Sequence, residues 1–429
     1  MTDLRLVLAG APTRNDNRGV EALGRSVLDA IDEYGAETAV TVLDGGWGVT
    51  PHPASSRGAR MTVEFAGVRR SRRWHRAESW TQIRLAQHIR PRWNPVAKRF
   101  ADADAVLDLS GGDSFTDLYG RARLDTVAAP KYAAIRAHRP LVLLPQTYGP
   151  FATDEGRRLA QTLVRSATVA YARDDHSFES LLELAGAEAD TSRLRNGVDV
   201  AFALEPVRPP DEVVGQLAAI NGEVVAGVNV SGLLQKTAHA DRFGLTGDYI
   251  RTVTDIVRQL VRAGAVVVLV AHVYGQGWGE NDLAAISSVR ESLTDGERNR
   301  TMVLAPALRA AEVKWCISRF DWLMGSRMHA TIAGLSTQVP TFGYAYSDKT
   351  RGVFETCDMG DQVADARTVT GREAIDLAMH SFEGRDNTKA SLALVAPGLV
   401  ARARNQVLDV LDEVRGWAQE SARIEAIVR

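Results

Sequence analysis

The feature that most constrains the fold is an alternation that recurs along the 429 residues. Short runs rich in Val, Leu and Ala are each followed by turn residues and then by a segment whose apolar residues have helical spacing. Such runs are typical of parallel strands that are buried between helices. The sequence therefore predicts an α/β fold. The candidate strands are 4–9, 38–43, 105–109, 141–145 and 168–172 in the first half, and 224–230, 266–271, 302–304, 322–324 and 341–344 in the second.

A proline-rich stretch, 204–211, separates the two halves of this pattern. Its three prolines cannot lie inside a helix or a central strand. We therefore predict two Rossmann-like, doubly wound domains facing a cleft, at 1–205 and 206–390, and a C-terminal helical extension at 391–429. In open parallel sheets ligands bind beyond the carboxyl ends of the strands, so the loops after the strands are where a site is expected.

Composition narrows the class of protein. A formal net charge of −2 excludes a wholly basic nucleic-acid binder. Two cysteines with no CxxC pair indicate neither a disulfide framework nor a zinc site, so no metal is expected. The longest apolar run, 263–270, is far short of a membrane span, and the first residues lack the features of a secretory signal. These observations predict a cytoplasmic protein.

Three loops of the first half could contact a ligand. The loop 10–23 can present backbone N–H groups to an anion, but it lacks the glycine patterns of nicotinamide and ATP sites. Gly111 and Gly112 permit a close backbone approach, although they are also typical of a tight turn. Gln146, in the loop 145–151, could offer its amide to a polyhydroxylated ligand.

Cationic side chains follow three other strands. Arg173 lies at a strand end before a helix, where it could grip a carboxylate or phosphate, or pair with Asp174 or Asp175 at the surface. Arg327 and His329 open a helix after the strand 322–324, which favours anion binding there. Lys349 follows the next strand, and its alternative role is that of an exposed loop lysine. The sequence predicts that these cations converge.

Seven segments occur in this order between residues 17 and 352: NRGVEAL, SGGDSFTD, LPQTYGPF, YARDDHSFE, HVYGQGWGEND, GSRMHATIAG and FGYAYSDKTRG. Together they resemble the polysaccharide pyruvyltransferase family. The resemblance implies a GT-B-like architecture and the transfer of the enolpyruvyl group of phosphoenolpyruvate to a sugar, usually forming a pyruvate ketal. It implies cell-surface polysaccharide or glycolipid biosynthesis, with a nucleotide-linked or lipid-linked saccharide as acceptor.

The resemblance assigns roles to residues unevenly. Arg173, His329 and Lys349 match the family's phosphoenolpyruvate-site residues, and Arg327 neighbours that site. We predict that Asn17 binds substrate together with three residues of the first-half loops, Gly111, Gly112 and Gln146.

Two positions depart from the family pattern. Val20 stands where an aspartate is common, and Ser110 replaces the first glycine of a GGG. If that aspartate helps catalysis or acceptor binding, Glu21, Asp16 or Asp113 must replace it, or the reaction or acceptor differs.

The implied reaction needs positive charges that bind the donor and a group that supplies a proton. Phosphoenolpyruvate is close to a trianion above a pKa near 6, so its site must offer several cations. His329 can act as the general acid or protonate the departing phosphate. Glu21 and Asp113 are the candidates for taking the proton from the acceptor hydroxyl. The chemistry requires no metal or organic cofactor.

Residues 69–99 form the one strongly basic stretch, with ten Lys or Arg, one acid and three tryptophans. Cations beside indoles suit an anionic membrane surface or a lipid diphosphate-linked acceptor, which would place the protein peripherally at the inner face of a membrane. The alternative is a solvated helical face with partly buried tryptophans. Nucleic acid is the least favoured partner, because no recognition motif accompanies the charge.

Two other functions compete with pyruvyl transfer. A GT-B-like glycosyltransferase that uses a sugar nucleotide would share the architecture, because a fold does not determine a reaction. A catalytically silent sugar-binding protein would explain Val20. The donor that the protein binds separates these hypotheses.

Overall fold

The computed structural model describes residues 4–52, 60–71, 73–112, 114–220, 222–235, 243–275, 281–306 and 308–428. Contacts divide the chain into two units. The first consists of Met1–Arg14, Leu23–Val200 and Arg402–Arg429, and the second of Asn15–Ala22 and Ala201–Ala401. The chain thus passes from the first unit to the second after Val200, just before the proline-rich stretch.

The first unit is built on a sheet whose described strands number eight. They are β1 (Leu4–Ala9), β2 (Thr38–Asp44), β3 (Val49–His52), β4 (Met61–Gly67), β5 (Ala105–Asp108), β6 (Leu141–Gln146), β7 (Val169–Ala172) and β8 (Leu194–Asn196). Their order is β3-β4-β2-β1-β5-β6-β7-β8. Neighbours are parallel except β3 and β4, which are antiparallel. Residues 53–60 are too few for the crossover that a parallel pair needs.

Helices flank this sheet and bury most of its strands, whereas β3 at the edge stays partly exposed. They are α1 (Arg18–Tyr34), α2 (Trp80–Ile89), α3 (Pro95–Asp102), α4 (Arg121–Arg136), α5 (Asp154–Ser166) and α6 (Asp175–Ala185). Side-chain caps fix several starts: Asn94, Thr153 and Asp174 each accept a backbone N–H from the first turn that follows. Apolar side chains of α2 to α6 form one core with the strands.

The second unit has six described strands, all parallel. They are β9 (Val225–Asn229), β10 (Val266–Val270), β11 (Thr301–Val303), β12 (Trp322–Gly325), β13 (Thr341–Ala345) and β14 (Val363–Asp365), in the order β11-β10-β9-β12-β13-β14. Its helices are α7 (Asp211–Ala218), α8 (Tyr249–Arg262), α9 (Asp282–Glu291), α10 (Asp295–Asn299), α11 (Ala310–Ile317), α12 (Met328–Ser336), α13 (Asp348–Thr356) and α14 (Gly371–Glu383). Separate cores lie on the two faces of the sheet.

A last helix, α15 (Arg385–Val428), starts earlier than the sequence predicted. It belongs to the second unit up to Ala401 and to the first from Arg402. Within the first unit it buries Val407, Val410, Leu411 and Val414, which lie on one face at helical spacing. Among the described residues, no helix combines the length and the apolar character needed to cross a bilayer.

The order of strands reverses once in each sheet. The reversal falls between β1 and β5 in the first unit and between β9 and β12 in the second. Loops that leave the carboxyl ends of these strands diverge to opposite faces of the sheet and open a crevice, which is where ligands of doubly wound sheets bind.

Candidate anion-binding site

Arg327 lies at the crevice of the second unit. It is the N-cap residue of α12, and its backbone N–H donates to Asn229 Oδ1 over 2.9 Å. Because β9 ends at Asn229 and pairs with β12, this bond ties the start of α12 to the point where the strand order reverses. The first amides of α12 therefore open onto that crevice.

Asp282 holds the Arg327 guanidinium. Its Oδ1 accepts from Arg327 Nη2 over 2.8 Å and from the Gly232 N–H over 2.8 Å. Its Oδ2 accepts from the amides of His272 and Val273 over 3.0 and 2.9 Å. The carboxylate is fully buried, so one side chain fixes Arg327 and the loops after β9 and β10 together. The sequence did not predict this partner.

His329 is the second residue of α12 and is half-buried. Its ring packs directly against the backbone of Gly19: a Cβ on Gly19 would lie 2.5 Å from His329 Nδ1 and 2.7 Å from Cγ. The first turn of α1 thus sets the position of the imidazole, and this position requires a residue without a side chain.

A second histidine, His272, lies beside this group. It follows β10 and is buried, and its carbonyl accepts the Arg18 N–H over 2.9 Å. Its Nδ1 has no hydrogen-bond partner among the described residues. Burial first, and then the positive charges of His329, Arg327 and Arg18, lower the pKa of His272 to about 3. The imidazole is therefore neutral at physiological pH and offers an unused nitrogen.

Arg18 brings a further cation from the start of α1. Its Nη1 donates to Glu21 Oε2 over 2.9 Å and to the Asn15 carbonyl over 2.7 Å, and its guanidinium lies 4.8 Å from the ring centre of Tyr274. Burial raises the pKa of Glu21, opposed by Arg18 and by a hydrogen bond from the Ala310 N–H. Five residues are thus linked through side-chain and backbone contacts and are named here the arginine–histidine cluster: Arg18, His272, Asp282, Arg327 and His329.

Two other residues predicted to bind substrate, Asn17 and Lys349, also belong to the second unit. Asn17 caps α1, because its Oδ1 accepts the Gly19 N–H over 2.9 Å. Lys349 lies in the first turn of α13 and is partly buried, so it is not an exposed loop lysine. Arg173 belongs to the first unit. Its convergence with Lys349 and His329 stays a prediction.

Arg173 is fully buried between β7 and α6. Its Nη1 donates to Asp199 Oδ2 over 3.2 Å, and its Nε lies 3.5 Å from Asp174 Oδ2. The alternative of a surface bridge is therefore wrong, because the partners are buried with it. Its Nη2 has no hydrogen-bond partner among the described residues, which leaves a guanidinium edge for a carboxylate or phosphate.

The reversal point of the first sheet is formed by the turn after β5. Ser110, Gly111 and Gly112 have φ of 49, 67 and 80°, the left-handed region that favours glycine. The turn packs on Gly10, where a Cβ would lie 2.4 Å from the Ser110 nitrogen. The paired glycines thus form a tight turn at the crevice. Asp113 lies outside the described residues.

A buried ion pair supports this turn. Lys131 Nζ on α4 donates to Asp108 Oδ1 over 2.6 Å and to Ser110 Oγ over 2.7 Å. Burial lowers the pKa of Lys131, and Asp108 opposes that shift. Gln146 is buried too, with Nε2 donating to the Asp108 carbonyl over 3.2 Å and Oε1 without a partner among the described residues. No sequence pattern indicated a role for Lys131.

The described residues contain no group of three or more His, Cys, Asp or Glu side chains that could hold a metal ion. The polar groups at both reversal points are mainly cations, amides and hydroxyls. Such groups suit anions and sugars.

Solved structures with a similar architecture define the fold class. The α,α-trehalose 6-phosphate synthase of Burkholderia multivorans gives a TM-score of 0.56 at 11% identity, over 98% of this chain and 100% of that one. Anabaena Alr3699/HepE, in complex with UDP and glucose, gives 0.55 at 11% identity, over 96% and 100%. At these identities the likeness shows the fold alone, which is the GT-B type with two parallel-sheet α/β domains.

The family follows from the sequence itself. The chain belongs to the polysaccharide pyruvyl transferase family, whose model matches residues 17–348. A relative, the amylovoran biosynthesis protein AmsJ of Erwinia amylovora, is 21% identical over 269 residues. That match spans 62% of this chain and 62% of AmsJ.

Proposed function

We propose that the protein transfers the pyruvyl group of phosphoenolpyruvate to a saccharide and forms a pyruvate ketal in polysaccharide biosynthesis. One observation carries this proposal. The family model runs through the arginine–histidine cluster, which lies at the crevice of the second sheet. The combination of family and local geometry supports an anionic donor there.

The donor site is proposed from the charges in the second unit. Phosphoenolpyruvate carries close to three negative charges above a pKa near 6. Arg18, Arg327 and Lys349 supply positive charge, and the amides at the start of α12 add donors. His272, being neutral, hydrogen-bonds through Nδ1 without adding charge. Arg173 is proposed as the anion-binding residue of the first unit.

The reaction needs proton transfers that balance. A proton adds to the methylene carbon of phosphoenolpyruvate, and a sugar hydroxyl attacks the central carbon. A second hydroxyl then displaces phosphate and closes the ketal. The two protons lost by the hydroxyls equal those gained by the methylene carbon and the phosphate. We propose His329 as the acid in this sequence.

The base and the acceptor site are proposed from the first loops. Glu21 is supported by burial, which raises the pKa of its carboxyl and makes the carboxylate a stronger base. Asp113 remains the second candidate. Asn17, Gly111, Gly112 and Gln146 are proposed to contact substrate, as the sequence predicted.

Replacing His329 by alanine tests the proposal. We expect phosphate release from phosphoenolpyruvate, with a panel of acceptor glycans present, to fall by about 100-fold or more, because general acid catalysis contributes that much. Mass spectrometry of the glycans identifies the ketal.

The matched control is His380→Ala, an exposed histidine on α14 in the same unit. It should retain wild-type turnover. Wild-type rates in a folded His329→Ala protein would contradict the assignment. Failure of phosphoenolpyruvate to bind the wild-type protein at all would instead favour the silent sugar-binding alternative.

A further inference from the structure

Large apolar side chains are exposed together in one part of the first unit. Trp47, Trp74 and Trp93 are 52, 60 and 64% exposed, an unusual state for tryptophan. Leu85 and Ile89 are exposed between the last two, on α2. Exposed apolar side chains that form a contiguous patch are typical of interaction sites.

The outward face of α2 explains part of this exposure. Ile83 and Ala86 turn into the core, whereas Leu85 and Ile89, four residues apart, lie on the opposite face. The turn 91–93 follows α2 directly and carries Trp93. The ten residues of α2 span about 15 Å, so these side chains line a strip of that order.

Trp47 extends the strip at the start of α2. Its ring lies 4.0 Å from the Arg69 guanidinium and 5.0 Å from that of Arg76. The Arg69 carbonyl accepts the N–H of Trp80, the first residue of α2, over 3.1 Å. The exposed indole therefore lies close to the amino end of the helix.

The charge around this strip is positive and largely uncompensated. Glu78, the one acid among residues 69–99, is buried. Its Oε1 accepts the Gly48 N–H over 2.9 Å, and its Oε2 lies 3.8 Å from Arg76 Nε. Arg70 pairs with Asp125 over 3.0 Å. Four exposed arginines form no ion pair with any residue that the structure describes: Arg73, Arg84, Arg90 and Arg92.

We propose that this strip docks the protein peripherally on a bilayer that contains anionic lipid. The tryptophan–arginine surface consists of Trp47, Trp74, Leu85, Ile89 and Trp93 with Arg73, Arg84, Arg90 and Arg92. Indoles and guanidiniums suit the headgroup region, and the aliphatic side chains of α2 suit the acyl boundary below it. Anionic headgroups complement the arginines.

Lipid is favoured over nucleic acid by the aliphatic members of the surface. Single-stranded nucleic acid stacks on aromatic rings along a basic groove and gains nothing from Leu85 or Ile89. A bilayer uses both kinds of side chain. The electrostatic part of the binding free energy weakens as the salt concentration rises, whereas the part from apolar burial does not.

Vesicle flotation tests the proposal with the full chain. We expect binding to vesicles of phosphatidylcholine mixed with phosphatidylglycerol, much weaker binding to phosphatidylcholine alone, and a decrease with salt. The double variant Arg84→Gln, Arg92→Gln should lower partitioning about 25-fold, since each arginine near an anionic surface contributes about five-fold. The variant Ile89→Ser, Trp93→Ser should lower the binding that persists at high salt.

Matched controls lie outside the surface. Leu394→Ser removes an apolar side chain that is 86% exposed on α15, and Arg251→Gln removes an exposed arginine of α8. Both should float like the wild type, and all variants should keep wild-type protection by phosphoenolpyruvate against unfolding. Equal flotation of the surface variants and the controls would overturn the proposal. Binding of an RNA oligonucleotide without binding of vesicles would overturn it too.

Discussion

Gly19 and His329 make the most restrictive contact of the candidate site. The imidazole occupies the space in which any side chain at position 19 would lie, since a Cβ there would be 2.9 Å or less from three atoms of His329. The family-like segment NRGVEAL thus contributes a glycine whose importance is steric. An active-site group displaced by about 1 Å can lose about 100-fold in rate.

Gly19→Ala is therefore expected to lower turnover by about 100-fold. The added methyl pushes the His329 ring away, while α1 retains its capping bond from Asn17. Steady-state kinetics with phosphoenolpyruvate measures the effect, and circular dichroism checks the fold.

Gly215→Ala is the control, because no atom lies within 4 Å of a Cβ at that position in α7. It should leave the rate unchanged. A Gly19→Ala enzyme as fast as the wild type would show that the imidazole does not need this position.

The sequence identified some residues of the cluster and missed others for a physical reason. Arg327 and His329 could be predicted because they directly follow a strand and begin a helix. Asp282 is 45 residues away from Arg327 in the chain, so its role depends on how strands are ordered in the sheet. His272 directly follows the predicted strand 266–271 and begins the segment HVYGQGWGEND, but its burial beside cations cannot be predicted from that position in the sequence.

Among the elements, α9 begins with Asp282, whose carboxylate binds two loops and an arginine of the second unit. Asp282 binds the loops after β9 and β10 and the guanidinium before α12. The hydrogen bonds from all these partners end on one buried carboxylate. Removing its charge leaves Arg327 without its counter-ion in a buried place, which is costly.

Asp282→Asn should lower the free energy of unfolding by about 3 kcal/mol, because an amide group would then face backbone donors and Arg327 would lose its partner. Urea unfolding measures this change. Asp295→Asn is matched, since Asp295 also begins a helix, α10, but is 97% exposed. It should change stability by less than about 0.5 kcal/mol. Equal effects of the two variants would contradict the role given to Asp282.

Most elements were predictable from local pattern. The ten predicted strands are present, to within one residue at each end. The strand β4 was missed although Met61, Val63 and Phe65 alternate with more exposed residues, a pattern that a search for buried runs overlooks. The strands β8 and β14 were missed too: each has three residues, and unlike the equally short β11 each includes a charged residue that breaks the apolar run.

At the scale of the whole molecule, the repeated strand and helix pattern predicted the α/β class, and the structure and its likeness to GT-B proteins confirm it. The action of Arg173 together with His329 stays a prediction, because it depends on two separate units and no local pattern encodes it. The same fold serves proteins solved with UDP-glucose, so the fold cannot choose the donor.

The identity of the donor therefore tests the central claim most directly. Calorimetric titration of the wild-type protein with phosphoenolpyruvate and, separately, with UDP-glucose measures it. We expect phosphoenolpyruvate to bind, Arg327→Gln to weaken this binding, and UDP-glucose to give no heat of binding. Binding of UDP-glucose without binding of phosphoenolpyruvate would contradict the account and identify a glycosyltransferase.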